Sequence, residues 1–213
     1  MIERELLRPE PITLAVGTGR TLRAAVEQMG RIDCPRHRIV SLSGNIAPDG
    51  SAAYFNVLFS LSELVTARSF PLMVPVIAAN AAERAALHRQ PGNIRVMQMA
   101  AGADTAIVGL GTFGPDAPLR KDGFLTAEEI ADRQAAGAVG EILGHAYTVE
   151  GAFLPQDDRV ASAPLPDPGR ALVAAAAWGE PKREAMLGAL RTGRLNAIFT
   201  DEDTAAWLLD HTG

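Results

Sequence analysis

Short apolar runs alternate along the chain with longer stretches in which apolar residues recur every three or four positions. The short runs are typical of buried strands, and the longer stretches are typical of helices with one face against a core. This alternation predicts an α/β fold, with a Rossmann-like, mostly parallel sheet flanked by helices. The predicted strands are residues 12–16, 38–42, 69–76, 105–110, 171–177 and 195–199. The predicted helices are residues 21–30, 51–67, 81–89, 94–101, 126–136 and 182–191, with a last helix after residue 200.

Capping signals mark the start of two of these helices. Thr126 and Glu129 have the spacing of a capping box, in which each side chain accepts a hydrogen bond from the other residue's backbone N–H. Thr200 and Asp203 predict a similar cap for the last helix. Both signals place a helix where the apolar spacing also predicts one.

One stretch departs from the alternation of strands and helices. Residues 142–153 are expected to form a hairpin that turns at Glu150-Gly151. The chain has no internal repeat and no low-complexity linker, so we expect one domain that covers residues 1–213.

Composition narrows the class of protein. With 47% hydrophobic and 21% charged residues, the chain has the balance of a globular domain. The formal net charge of -5 argues against a nucleic-acid-binding surface, which needs clustered lysine and arginine. Cys34 is the only cysteine and the histidines are scattered, so we expect no internal disulfide, no metal site and no cofactor. The charged N-terminus and the shortness of every apolar run predict a cytoplasmic protein without a membrane segment.

The segment VGTGRTL follows the first predicted strand and opens the first predicted helix. Gly17 and Gly19 allow the backbone to turn tightly and to point several N–H groups at an anion. Thr18, Arg20 and Thr21 add hydroxyl and guanidinium donors at the positive end of the helix, a set that matches a phosphate monoester. The spacing fits neither the Walker lysine pattern nor the dinucleotide pattern. The alternative is an ordinary strand-to-helix turn, with glycine for its geometry and threonine as a cap.

A second glycine-rich segment, residues 109–114, follows the predicted strand 105–110. Ligands of open α/β sheets bind beyond the carboxyl ends of the strands, so both glycine-rich segments are expected to face one pocket. Gly109, Gly111 and Thr112 are therefore candidates for its wall. The alternative is that these glycines only permit a bend.

Seven blocks, in order along the chain, resemble the sugar-binding domain of the SorC/DeoR family of bacterial transcription regulators. They are VGTGRTL, SLSGNIA, VLFSLSELVT, ARSFPLMVPV, DTAIVGLGTFGPDAPL, DGFLTAEEIADRQAAGAVGEILG and LGALRTGRLNAIFTDEDTAAWLL. The resemblance implies a fold like that of ribose-phosphate isomerase, glucosamine-phosphate deaminase and CoA transferases, with a phosphorylated sugar bound by its loops. It also implies dimers or tetramers, and DNA binding only through an N-terminal helix-turn-helix domain. We expect that domain to be absent, because the chain begins about a dozen residues before VGTGRTL.

The resemblance carries several site residues onto this chain. Gly17 to Thr21 match the family's phosphate-binding loop. Lys182 matches a lysine that approaches the ligand, with a solvated lysine at a helix start as the alternative. Arg159 stands where the family often has an arginine and is expected to hold a second anionic group. Alternatively, Asp157 and Asp158 hold Arg159 in a surface ion pair.

Other candidates follow from the ends of strands and from departures from the family. Gly44 and Asn45 end the second predicted strand, where an amide can read sugar hydroxyls, although an ordinary turn also explains them. His145 stands where an arginine or another polar residue is common in the family. Trp178 lies where glycine is usual, so it either narrows the pocket, stacks on a sugar ring or packs in the core.

These observations favour a binding module that senses a phosphorylated sugar or polyol and carries out no chemistry. The same fold also hosts sugar-phosphate isomerases and deaminases, so an enzyme is the alternative. Such an enzyme needs a general base, for which Asp104, Asp122, Glu141 and Asp158 are available without an isomerase-like motif. A purely structural interaction domain is a third possibility, but it gives no purpose to the VGTGRTL loop.

Overall fold

The computed structural model of the chain describes residues 1–53 and 55–211. Six strands form one sheet: β1 Thr13–Val16, β2 Arg38–Ile46, β3 Arg68–Pro75, β4 Thr105–Gly109, β8 Leu172–Ala176 and β9 Ala197–Phe199. A small antiparallel sheet contains β5 Gly111–Thr112, β6 Gly140–Ile142 and β7 His145–Tyr147. The α-helices are α1 Ile2–Leu6, α2 Arg20–Glu27, α3 Val57–Ser62, α4 Ala81–His88, α5 Pro91–Ala101, α6 Pro118–Lys121, α7 Ala127–Ala135, α8 Arg183–Arg191 and α9 Glu202–His211. A 3-10 turn, Glu180–Lys182, leads into α8.

The six-stranded sheet is parallel throughout, in the order β3-β2-β1-β4-β8-β9. The chain builds outward from β1 to β3, returns to the other side of β1 with β4, and continues outward to β9. The strand order therefore reverses between β1 and β4, which is where open α/β sheets hold their ligands. The predicted Rossmann-like α/β fold is confirmed.

Helices cover both faces of this sheet. Leu14 and Val16 of β1 pack on one face in a buried cluster with residues of α2 and α3, such as Leu22 and Leu58. Ala15, between them, belongs to the cluster on the other face, with residues of α5 and α8. Successive side chains of a strand point to opposite faces, so a strand covered on both sides is apolar throughout.

Helix α3 is shorter than the predicted helix 51–67. The backbone of Ala52 pairs with Ile46 in an extended conformation, so the segment before α3 cannot be helical. Asn56 then caps α3, because its side-chain oxygen accepts a hydrogen bond from the N–H of Phe59 at 3.2 Å. The apolar spacing predicts the buried face of this helix but overestimates its length.

The hairpin predicted within residues 142–153 has its main turn earlier than expected. Strands β6 and β7 are joined at Leu143 and Gly144, which have φ values of 54° and 88°. Two successive residues with positive φ are typical of a type I′ turn, and leucine is rarely found in one. Glu150-Gly151 lies in a further turn, closed by a hydrogen bond from the Gly151 N–H to the Thr148 carbonyl.

The two predicted helix caps have different outcomes. Thr126 and Glu129 form the capping box of α7. Helix α9 is instead capped by Asp201: its Oδ1 accepts from the N–H of Thr204 at 2.9 Å, and its Oδ2 accepts from the N–H of Gly179 at 2.9 Å. The prediction that Thr200 and Asp203 cap this helix is therefore wrong by one position.

Asp201→Ala is expected to lower the thermal unfolding midpoint by about 2–4 °C at pH 7, because both N–H groups lose their acceptor. These hydrogen bonds hold the pKa of Asp201 at about 2, below its ordinary value of 3.8. A lowered pKa means that the contribution is complete above about pH 4 and is lost as the pH falls through about 2. The difference between wild type and Asp201→Ala, measured by circular dichroism, should shrink over that range. Thr200→Ala is the control, and an equal loss in that variant would contradict Asp201 as the cap.

Candidate functional site

A cavity of about 610 Å³ opens at the carboxyl ends of β1, β2 and β4, where the strand order reverses. This volume suits a small metabolite. Eight of the twelve predicted site residues line the cavity: Thr18, Gly19, Arg20, Thr21, Gly44, Gly109, Gly111 and Lys182. The four that do not line it are Gly17, Asn45, Thr112 and Arg159. The structure therefore brings both glycine-rich segments to one cavity, together with Lys182.

The loop between β1 and α2 presents hydrogen-bond donors to this cavity. Gly19 has φ 133° and precedes the first turn of α2, which has no side-chain cap. The hydroxyl of Thr18 and the N–H of Gly19 both donate to the carbonyl oxygen of Phe55. The N–H of Gly17 donates to Ile107 within the sheet and is not available to a ligand. Two donors of this loop are thus already bonded to one carbonyl oxygen, which belongs to the segment between β2 and α3.

Arg20 joins two loops at the mouth of the cavity. Its guanidinium donates to Asp122 at 2.6 Å and lies 4.2 Å from the centre of the Phe55 ring. Asp122 follows α6, whereas Phe55 precedes α3, so one side chain bridges segments far apart in sequence. This bridge is partly exposed and therefore contributes little to stability, which leaves Arg20 able to change partners.

Lys182 holds its ammonium group at the end of β4. The Nζ donates to the carbonyl oxygen of Leu110 at 2.7 Å. Burial lowers the pKa of Lys182 below its ordinary value; the Glu141 carboxylate raises it in part, and the Arg20 guanidinium lowers it again. Arg20 and Lys182 both line the cavity, so two positive charges face the same space. An anion between them would relieve this repulsion.

Glu141 is a cavity residue that sequence reasoning considered only as a general base for an enzyme. Its Oε2 accepts from the N–H of Gly144 at 2.6 Å. A Cβ at Gly111 would lie 2.1 Å from its Oε1, so the glycine is what allows the carboxylate to approach β5. Burial raises the pKa of Glu141, while the Gly144 N–H and the Lys182 charge oppose this shift. The sequence signal for this contact is a glutamate in a strand, three residues before the glycine of a tight turn.

Asn45 and Arg159 have structural partners outside the cavity. Asn45 is 3% exposed; its amide nitrogen donates to the Leu72 carbonyl at 2.9 Å, and its amide oxygen accepts from the Asn56 side chain. Arg159 donates to Asp157 at 2.7 Å, as in the ion-pair alternative, but its second partner is Glu129, at 2.6 Å, and not Asp158. The polar atoms of both side chains are taken up by these structural partners, and neither residue lines the cavity.

Thr112 and Trp178 also lie outside the cavity. Thr112 lines a separate depression beside α8 and α9. Trp178 is 66% exposed at the end of β8, so it neither packs in the core nor narrows the cavity. His145 lies behind the wall, where its Nε2 is 3.2 Å from the hydroxyl of Ser162, a cavity residue.

Two kinds of feature are absent from residues 1–53 and 55–211. No group of three or more histidine, cysteine, aspartate or glutamate residues in that range is arranged to hold a metal ion. None of the helices described there is long and apolar enough to cross a membrane.

Comparison with known proteins identifies relatives along almost the whole chain. The erythritol catabolism regulatory protein EryD of Brucella abortus is 31% identical over 210 residues, covering 98% of this chain and 66% of EryD. The transcriptional regulator LsrR of Klebsiella pneumoniae is 29% identical over 219 residues, covering 96% of this chain and 63% of LsrR. The chain thus spans just under two thirds of the length of these relatives, which are regulators and not enzymes.

The fold has a close counterpart among solved structures. The full-length sorbitol operon regulator SorC of Klebsiella pneumoniae matches with a TM-score of 0.82 at 22% identity, over 98% of this chain and 68% of SorC. At this identity the likeness establishes the fold.

A family model described as "Putative sugar-binding domain" matches residues 1–210. Since that model covers nearly all of the 213 residues, the chain belongs to the family of sugar-binding domains found in SorC/DeoR-type transcription regulators.

Proposed function

We propose that this domain binds a phosphorylated sugar or polyol and passes its occupancy to a DNA-binding domain of the same regulator. One observation carries the proposal. The donors of Thr18 to Thr21, which include the guanidinium of Arg20, meet the ammonium of Lys182 in one cavity at the strand-order reversal. Uncapped helix amides together with two cations favour a phosphate group.

Besides the two cations, the cavity wall contains a group that suits the hydroxyls of the ligand. The carboxylate of Glu141 accepts hydrogen bonds, which sugar and polyol hydroxyls donate. The name of EryD connects that relative with erythritol, a four-carbon polyol. Phosphates of short polyols therefore belong among the first candidates, beside those of pentoses and hexoses.

The contacts of Thr18, Gly19 and Arg20 suggest how ligand binding would change the structure. A phosphate in the loop would compete with the Phe55 carbonyl for the donors of Thr18 and Gly19, and with Asp122 for Arg20. Release of these contacts would free the segments before α3 and after α6 together. Ligand binding would thereby shift the population between two loop arrangements.

The same proposal covers the whole regulator. Residues 1–213 form one effector domain, a helix-turn-helix domain elsewhere in the protein contacts DNA, and the regulator acts in the cytoplasm as a dimer or tetramer. Two observations support self-association: Trp178 and Phe199, at the ends of the neighbouring strands β8 and β9, are 66% and 41% exposed, and Leu209 of α9 is 77% exposed. Exposed apolar side chains of this size are typical of interaction surfaces.

A thermal-shift screen with matched pairs tests the proposal. Each sugar or polyol, erythritol included, is compared with its monophosphate, and inorganic phosphate serves as the control. A true effector at a hundredfold excess over its Kd should stabilise the domain by about 3 kcal/mol, and its unphosphorylated partner should bind at least about tenfold more weakly. Equal binding of both partners would contradict the phosphate assignment. Turnover of a bound ligand, followed by NMR, would instead indicate an enzyme.

A further inference from the structure

Ser162 places a hydroxyl group in the wall of the cavity. Its neighbours fix the backbone there: the N–H of Ala161 donates to the Val76 carbonyl, and the N–H of Ala163 donates to the Leu42 carbonyl at 2.8 Å. The side-chain oxygen of Ser162 lies 3.2 Å from Nε2 of His145. This hydroxyl is therefore held in place by a histidine that does not itself line the cavity.

The two ring nitrogens of His145 have different surroundings. Nε2 faces Ser162, whereas Nδ1 is buried and has no partner among the described residues. Burial lowers the pKa of His145, with Arg84 and Arg194 acting in the same direction and Asp157 opposing them. The neutral ring carries one proton, which is on either Nε2 or Nδ1.

The buried Nδ1 favours the tautomer protonated at Nε2. Placing the proton on Nδ1 would bury an N–H donor without an acceptor, and orphaned buried donors are rarer than orphaned acceptors. With the proton on Nε2, that N–H donates to Ser162 Oγ. The hydroxyl hydrogen of Ser162 is then free to turn toward the cavity.

A second hydroxyl in the same wall has no hydrogen-bond partner among the described residues. Ser43 is 5% exposed, lines the cavity, and its Oγ is buried without a hydrogen bond among the described residues. The segment that carries Ser162 lies against β2, which carries Ser43, through the hydrogen bond from Ala163 to Leu42. This wall therefore offers two hydroxyl groups, those of Ser162 and Ser43, for contact with a ligand.

We infer that His145, acting from behind the wall, fixes Ser162 as a hydrogen-bond donor to an oxygen atom on the carbon chain of the effector. His145 is then a positioning residue for ligand selection, and Ser162 makes the contact. The inference rests on the proposed function, because it concerns the sugar end of the same cavity. Its consequence is that an effector must carry an acceptor oxygen facing Ser162.

NMR of the tautomer tests the inference without a ligand. In the protein labelled with ¹⁵N-histidine, long-range proton–nitrogen correlations show which ring nitrogen carries the proton, and the signals of His145 are identified by their loss in His145→Gln. We expect Nε2 to be protonated and Nδ1 to be unprotonated near neutral pH. A proton on Nδ1 would overturn the inference, whether or not any sugar phosphate binds.

A double-mutant cycle tests it with the best-binding sugar or polyol phosphate from the screen. Ser162→Ala and His145→Phe should each weaken binding about fivefold to tenfold, as expected for one lost hydrogen bond. The double variant should lose no more than either single variant, because His145 acts through Ser162. His145→Gln, whose amide can donate to Ser162, should restore affinity to within about twofold of wild type. Additive losses would contradict the inference.

His88→Gln is the matched control. Its Nε2 lies 3.3 Å from the carbonyl of Ala161, next to Ser162, but His88 does not line the cavity. The affinity of His88→Gln for the phosphate should equal that of wild type. A loss as large as that of His145→Phe would mean that any disturbance of this segment weakens binding, which would contradict a specific role of His145. If the wild type binds none of the sugar or polyol phosphates, the proposed function fails and this inference fails with it.

Discussion

Replacing Lys182 with methionine is expected to weaken binding of a sugar or polyol phosphate by about 10- to 100-fold. A hydrogen bond between charged groups contributes about 1.5–3 kcal/mol, and methionine keeps most of the apolar stem while removing the ammonium. The Nζ already points into the site, where it donates to the carbonyl of Leu110. Binding measured by isothermal calorimetry should show this loss for the phosphate and a much smaller change for the unphosphorylated partner.

Lys121→Met is the control for this prediction. Lys121 is the other lysine of the chain and also borders the cavity, but its ammonium is paired with Asp116 at 2.8 Å on the surface. We expect less than about a threefold change, because an exposed ion pair contributes little and does not depend on the ligand. Equal losses in both variants would indicate a general effect of positive charge near the cavity. No change in Lys182→Met would remove Lys182 from the site.

The pKa of Lys182 adds a pH dependence to the same measurement. Since burial lowers this pKa, the free domain loses the Lys182 charge at a lower pH than an ordinary lysine would. A bound phosphate stabilises the ammonium form and raises the pKa again, so binding takes up protons at alkaline pH. Affinity of the wild type should therefore fall as the pH rises, before ordinary lysines titrate. Lys182→Met should lack this decline.

The parts of the site that sequence could predict are those encoded by neighbouring residues. VGTGRTL holds its glycines, its threonines and the start of a helix within seven positions, so the local chemistry is evident before any tertiary contact is known. Thr126 and Glu129 form their capping box for the same reason. The sheet follows from the apolar strands, because only a strand covered on both faces lacks polar positions.

Residues whose roles depend on tertiary contacts could not be assigned from the sequence. Glu141 reaches the cavity only because a separate small sheet packs against the end of β4, and Asn45 turns away because Leu72 and Asn56 take up its amide. Arg159 had its ion-pair partner two positions away, yet its second partner, Glu129, comes from α7. The same residue types in a strand end or a polar loop fit either role, so the choice is made by the fold.

Gly44 has a structural role in addition to the ligand contact predicted for it. It was a candidate for reading sugar hydroxyls, and it does line the cavity. A Cβ built on Gly44 would lie 2.3 Å from the carbonyl oxygen of Pro75 and 2.6 Å from that of Val74. These are backbone atoms of β3, at a place where the register between β2 and β3 shifts. The absence of a side chain at this position is thus needed for the two strands to approach each other.

Gly44→Ala is therefore expected to destabilise the domain by about 3 kcal/mol, which lowers the thermal midpoint by about 6–12 °C. Backbone atoms cannot move aside as a flexible side chain can, so β3 must shift away from β2. Gly92→Ala is the matched control: it lies in the first turn of α5, and nothing is within 4 Å of the added Cβ. That change should be neutral or stabilise the domain by up to about 1 kcal/mol. Denaturant unfolding of both variants separates the two effects. A Gly44→Ala domain as stable as wild type would mean that β3 does not require this glycine.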